Sequence, residues 1–285
     1  MNSPRAVANE PGAAMPPGAP VEALNVGRLM INADDWGRNR EITDRTLQCC
    51  ERGSISSVSA MVLMEDSERA AALARERGID AGLHLNFTTP FSVPGCPAPL
   101  AWHQQRIARC LLRHRFAQVL FHPVLVRSFE YVASAQVDEF WRLYGVAPQR
   151  YDGHHHMHLC ANVLLSNLVP RGTAVRRNFS FEAGEKSSGN RLYRKLVDRV
   201  LARHHRLTDF FFSLQPLEPR SRLERIFSLA REFVVELETH PSDMEEYRFL
   251  TRDDVFCGMG VSSLFGARRA APRGKEAACG DLDLR

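Results

Sequence analysis

One local pattern recurs along this chain: a short apolar run, a polar break, an amphipathic stretch, and a glycine that stops it. Residues 28–33 are apolar with a charged start and predict a buried strand. Residues 41–52 place Ile42, Leu47 and two cysteines on one helical face, and Gly53 ends them. Residues 56–64 predict a second strand, 67–77 a second helix closed by Gly78, and 80–87 a third strand. The Pro- and Gly-rich residues 88–100 predict a loop. A helix over 128–144, ended by Gly145, precedes a strand over 150–157. Residues 175–179 and 232–238 are later strand candidates. Strands alternating with helices, without internal repeats, predict an α/β fold with a parallel sheet or barrel.

The length of 285 residues and a hydrophobic content of 44% suit one core and a single domain. Residues 1–26, rich in Pro, Ala and Gly, predict a disordered leader, and 263–285 a disordered basic tail. The folded domain is then expected over 27–262. The formal charge of +4 does not point to a polyanion partner, and no nucleic-acid module matches, so no nucleic-acid partner is expected. Seven cysteines, an odd number without a Cys-x-x-Cys pair, suit a reducing compartment. With no secretory signal and no run of about 20 apolar residues, a cytoplasmic protein is expected.

Residues 102–126 carry a basic amphipathic pattern. Ile107, Leu111, Leu112, Phe116, Val119 and Leu120 fall near one face, with Arg106, Arg109, Arg113 and Arg115 interleaved. A solvated arginine face is the ordinary reading; association with a membrane surface through 102–126 is the minor one.

Three segments carry ligand chemistry. Asn32-Ala33-Asp34-Asp35-Trp36-Gly37 follows the first strand, Gly82-Leu83-His84-Leu85-Asn86 lies in the third, and Asp152-Gly153-His154-His155-His156-Met157-His158 holds four histidines in five positions. Neutral imidazoles and carboxylates are ligands for divalent ions, and together these segments suggest a metal-dependent hydrolase. Neighbouring residues inside a strand point to opposite faces, so Asp34 and Asp35 reach one site only where the strand ends. The alternative for Asp35 is a helix N-cap before a helix near Gly37. An extended 152–158 would put His154, His156 and His158 on one face, with Asp152 available to fix an imidazole tautomer. Thr239-His240-Pro241 follows the last strand candidate, where a histidine can act as an acid near neutral pH.

These blocks, in this order over about 28–254, resemble the YdjC-like carbohydrate deacetylases, which include chito-oligosaccharide deacetylases. The resemblance implies a distorted or incomplete (β/α) barrel and removal of an acetyl group from an N-acetylated sugar or oligosaccharide. It implies a divalent ion, Mg2+ or Zn2+ with Mn2+ or Co2+ as alternatives, held by Asp35, His84 and His154. Asp34 would be the catalytic base and His240 the acid. His156, His158 and Asn86 are the candidates for substrate contact, and a homodimer is compatible with the family. Trp36 stands where the family usually has Phe, and Cys160-Ala161-Asn162 where a Pro often follows the histidines. The competing readings are another metal-dependent hydrolase, such as a phosphoesterase, and a non-catalytic carbohydrate-binding protein.

Overall fold

The computed structural model describes residues 28–114, 116–181 and 185–252. The leader expected over 1–26 and the tail over 263–285 lie outside the described residues. Seven parallel strands form one sheet: β1 (Arg28–Trp36), β2 (Ser57–Ala60), β3 (Asp80–Leu85), β4 (Arg150–Gly153), β5 (Ala174–Val175), β6 (Phe210–Ser213) and β7 (Val234–Thr239). Their order is β5-β4-β3-β2-β1-β7-β6. Helices α1 (Arg40–Glu51), α2 (Ser67–Arg77), α3 (Ala98–Leu111), α4 (Val126–Tyr144), α5 (Ala161–Leu165), α6 (Ser188–Ala202), α7 (Arg220–Leu229) and α8 (Met244–Thr251) flank it.

The sheet is curled into an incomplete α/β barrel. Five strand spacings separate β5 from β7, and at about 4.8 Å each a flat sheet would hold them about 24 Å apart. Arg176, the residue after β5, nevertheless donates from Nε to Glu236 of β7 at 2.6 Å. The open edges approach each other: Ala174 of β5 bridges Arg206, and Ser180 N–H donates to Phe211 O of β6 at 2.8 Å.

The curl sorts side chains by the period of two. Ile31, Ala33, Val58, Ala60, Leu83, Leu85, Val235 and Leu237 belong to the apolar core. The alternate positions Asn32, Asp34, Ser57, Ser59, His84, Asp152, Glu236 and Glu238 are also buried, but they are polar and meet one another inside the half-barrel. Gly82 permits this crowding, because a Cβ there would stand 2.9 Å from the Arg150 side chain.

The expected helices over 41–52, 67–77 and 128–144 form close to those bounds, as α1, α2 and α4. The loop expected over 88–100 gives way to α3 at Ala98, after Pro97. The pattern over 102–126 is not one helix: α3 ends at Leu111, and 3-10 turns follow at Ala117–Val119 and Pro123–Leu125. The strand expected over 150–157 is corrected. It stops at Gly153, and His154–Leu159 is a 3-10 turn with His155 and His156 at positive φ of 54° and 56°. His154, His156 and His158 therefore do not share one face of a strand. Asp35 is not a helix cap, since Asn39 takes that role on Ile42 N–H.

Candidate active site

Each candidate segment lies at or near the carboxyl end of a strand, where ligand sites of parallel α/β sheets are built. At the end of β1 the pairing with β2 slips between Ala33 and Trp36, and Asp35 takes a φ of 65°. This irregularity breaks the alternation of facing directions. Asp34 Oδ2 lies 4.0 Å from His84 Nδ1, and Asp35 Oδ1 lies 3.5 Å from His84 Nε2. Both carboxylates thus meet one imidazole. Left-handed backbone at a non-glycine residue costs about 1–3 kcal/mol and is a feature of functional sites.

Asp35 Oδ1 also lies 2.9 Å from His154 Nδ1. Asp35, His84 and His154 offer one ligand atom each within 4.8 Å of one another. Ligand atoms bonded at about 2.0–2.2 Å to one ion lie roughly 3.0–3.5 Å apart, so the 2.9 and 3.5 Å separations suit a shared cation. Asp35 Oδ1 is buried without a hydrogen-bond partner, a state that a cation would relieve. Burial raises the Asp35 pKa, but the His154 and His84 imidazoles outweigh it and hold the carboxyl well below the usual range. Asp35 Oδ2 accepts from Arg38 at 2.9 Å.

Asp152, at the end of β4, sets the tautomer of His84 rather than of a clustered histidine. His84 Nδ1 donates to Asp152 Oδ1 at 2.8 Å, which turns the Nε2 lone pair toward Asp35. Asp152 Oδ2 accepts from Ser59. Gly153 lets the chain turn under the histidines, because a Cβ there would lie 2.9 Å from His158 N and 3.1 Å from its ring.

Arg176 organises the interior. It is fully buried and donates to both oxygens of Asp34 at 2.7 Å, to Glu236 at 2.6 Å and to Glu238 at 3.1 Å; Asp152 Oδ2 lies 2.9 Å from Nη2. Burial disfavours the ionised Asp34 carboxyl, yet the Arg176 guanidinium and His84 pull its pKa far below normal. Burial, and then the Asp34 charge, push the Glu238 pKa well above the ordinary range, and burial raises that of Glu236 as well. The sequence reading missed Arg176, Glu236 and Glu238. Their only signal was charge inside strand patterns that otherwise read as core.

His240 follows β7, with Nε2 4.0 Å from Asp34 Oδ2 and a side chain 37% exposed, so it reaches both Asp34 and solvent. Its N–H donates to Glu246 at 2.6 Å. The remaining candidates separate. His156 and His155 line a cleft of about 720 Å³ with Phe179, Arg177, Tyr193 and Phe116. His158 is buried and donates from Nε2 to Arg176 O at 3.0 Å. Asn86 is buried too, and its amide closes the turn after β3 by bonding Thr88 N, Thr89 N and Thr89 O.

The family model described as YdjC-like protein matches residues 28–261, which covers the whole sheet and every residue of the site. The chain belongs to the YdjC-like family. A chitooligosaccharide deacetylase of Enterobacter sp. (strain 638) is 30% identical over 152 residues, 52% of this chain and 58% of that protein. A carbohydrate deacetylase of Danio rerio is 31% identical over 150 residues, covering 48% and 44% of the two chains. A carbohydrate deacetylase of Brevibacillus brevis is 26% identical over 223 residues, 77% of this chain and 83% of that one. The YdjC-like chain thus spans only 58% of the length of its Enterobacter relative. In fold it is similar to a proposed cellobiose-phosphate cleavage protein of Enterococcus faecalis V583, with a TM-score of 0.58 at 18% identity over 84% of this chain and 95% of that one.

Proposed function

We propose that this YdjC-like chain is a metal-dependent deacetylase that hydrolyses the acetamide of an N-acetylated carbohydrate. The observation that carries the reading is the convergence of Asp35, His84 and His154 beside an ionised, clamped Asp34. The names of the Enterobacter and Brevibacillus relatives support the substrate class. A divalent ion held by Asp35, His84 and His154 would polarise the acetyl carbonyl and lower the pKa of a water; mixed O and N donors suit Zn2+, Mg2+, Mn2+ or Co2+.

The residues of the chain do the rest. Asp34 accepts the proton of the attacking water, and Arg176 and Asn32 fix the direction of its lone pairs. His240, reaching solvent on one side and Asp34 on the other, delivers a proton to the departing amine. His155 and His156 border the cleft that receives the sugar, and Phe179 offers a ring for stacking. Arg176 donates to Asp34 and Glu238 together, which disfavours a second cation there and weighs against a two-metal phosphoesterase. A cytoplasmic location belongs to the same proposal; among the described residues no helix is long and apolar enough to cross a membrane.

The test is release of acetate from N-acetylated mono- and oligosaccharides, with each divalent ion supplied after chelation. Asp34→Asn should lower turnover at least about a hundredfold while calorimetry still records metal binding. His154→Ala should lose both. Full turnover by Asp34→Asn would remove the base, and phosphate release from sugar phosphates without acetate release would favour the phosphoesterase.

A further inference from the structure

Around the cleft assigned to the sugar, the chain carries apolar and cationic side chains to which the acetyl chemistry gives no task. Between Trp102 and Leu125 it has four arginines and no acidic residue. Leu100, Gln104, Ile107 and Leu111 face inward from α3, while Arg109 and Arg113 are exposed. After α3 the apolar residues turn outward: Leu112 is 58% exposed, Leu120 58%, Phe121 42% and Val124 78%. Trp102 joins this face, with Arg106 4.8 Å over its ring and reaching Val124 O at 3.5 Å.

A second element of the same character stands across the cleft. Phe116 and Val119 form one wall, and Tyr193, Arg194 and Val197 of α6 form another. Leu192 and Leu196, four residues apart on α6, are 66% and 57% exposed. Arg191, Arg194, Lys195 and Arg199 accompany them; the one acid of α6, Asp198, is paired with Arg177. On each side of the cleft, the segments that supply its walls thus also present exposed apolar side chains among cations.

We propose that this rim docks on an anionic lipid surface, with Leu112, Leu120, Phe121, Val124, Leu192 and Leu196 entering the headgroup layer. The argument is charge complementarity joined to apolar exposure. Large exposed apolar patches mark interaction sites. Interfacial segments gain from apolar burial and from lipid charge together. A protein partner or a second copy would need a matching acidic face. The exposed cations here are spread along two elements on both sides of an opening, which suits an extended anionic plane better.

Flotation of the full chain with vesicles tests this. Phosphatidylcholine containing about one third phosphatidylglycerol should carry the protein, and pure phosphatidylcholine should not; binding should fall as salt rises from about 0.05 to 0.5 M. Leu120→Glu with Phe121→Glu, and separately Arg109→Glu with Arg113→Glu, should each reduce bound protein at least about tenfold. Trp141→Glu is the control. Trp141 is 63% exposed but lies about 22 Å along α4 from its start, at 1.5 Å per residue, and its replacement should leave binding unchanged. Circular dichroism of each variant separates lost docking from lost folding. Absence of flotation by the native chain overturns the proposal, as does equal flotation of natively folded rim variants. Sedimentation showing a dimer dissolved by the Glu variants, without vesicle binding, would assign the face to a second copy instead.

Discussion

The interior of the half-barrel and the rim of its cleft break the same rule in opposite directions. Inside, Asp34, His84, Asp152, Arg176, Glu236 and Glu238 are charged or ionisable and buried. At the rim, Leu120, Val124, Leu192 and Leu196 are apolar and exposed. A chain that only had to fold would exchange these two sets, because charge prefers water and apolar surface avoids it. The interior tolerates its charges because one guanidinium serves four carboxylates and the polar groups bond one another. Among the described residues nothing equivalent covers the rim. Departures from the binary pattern concentrate where a protein has chemistry or contacts to perform.

Four measurements would break or sharpen this contrast. The largest effect belongs to Arg176→Met, which leaves Asp34, Asp152, Glu236 and Glu238 without their shared cation. Removing one side of a buried ion network costs about 3–5 kcal/mol, to be read as a lower urea midpoint. Adding Asp152→Asn and Glu236→Gln should recover part of the loss; no recovery would mean that the network is not the source.

Acid should expose the interior next. Burial pushes His158 down to about 4, against an opposing pull from Asp152. In the unfolded chain a histidine protonates near 6.5, so below that pH the unfolded state binds more protons. Stability is retained above about 6.5 and falls as the pH drops toward 4, by about 2–3 kcal/mol from this residue. Urea unfolding at pH 7 and pH 4.5 should show a smaller difference in His158→Gln than in the native chain.

Gly153→Ala should cost about 1–3 kcal/mol, because its Cβ meets His158 backbone and ring at about 3 Å. The variant should also weaken metal binding by tilting the turn that carries His154. An unchanged midpoint and unchanged metal affinity would show that the turn relaxes freely. The smallest effect is expected at the rim: Leu120→Ser should alter stability by no more than about 0.5 kcal/mol, since the side chain is already 58% exposed. A large destabilisation would mean that the rim is part of the core after all.

Much of the sheet was legible along the chain. Glycine stops, helical spacing and short apolar runs located β1, β2, β3, α1, α2 and α4, because each rests on neighbours within a few residues. β6 was not anticipated: Phe210-Phe211-Phe212 is a continuous apolar run without an alternation that marks a strand. The residues nominated for the ion, Asp35, His84 and His154, do come together. Asn86 and His158 lie inside the protein instead, because their side chains meet local backbone demands invisible in a string of letters.

By itself the sequence determined the alternation of strand and helix and the identities of Asp34, Asp35, His84 and His154 at segment ends. Tertiary structure alone decided the left-handed Asp35, the histidines in a turn rather than a strand, and Arg176 at the centre of four carboxylates. Arg176 and Asp34 are separated by 142 positions in the chain yet lie 2.7 Å apart. Periodicity reports which face a residue occupies; only the curl of the sheet brings the polar faces of β1, β4 and β7 onto one guanidinium.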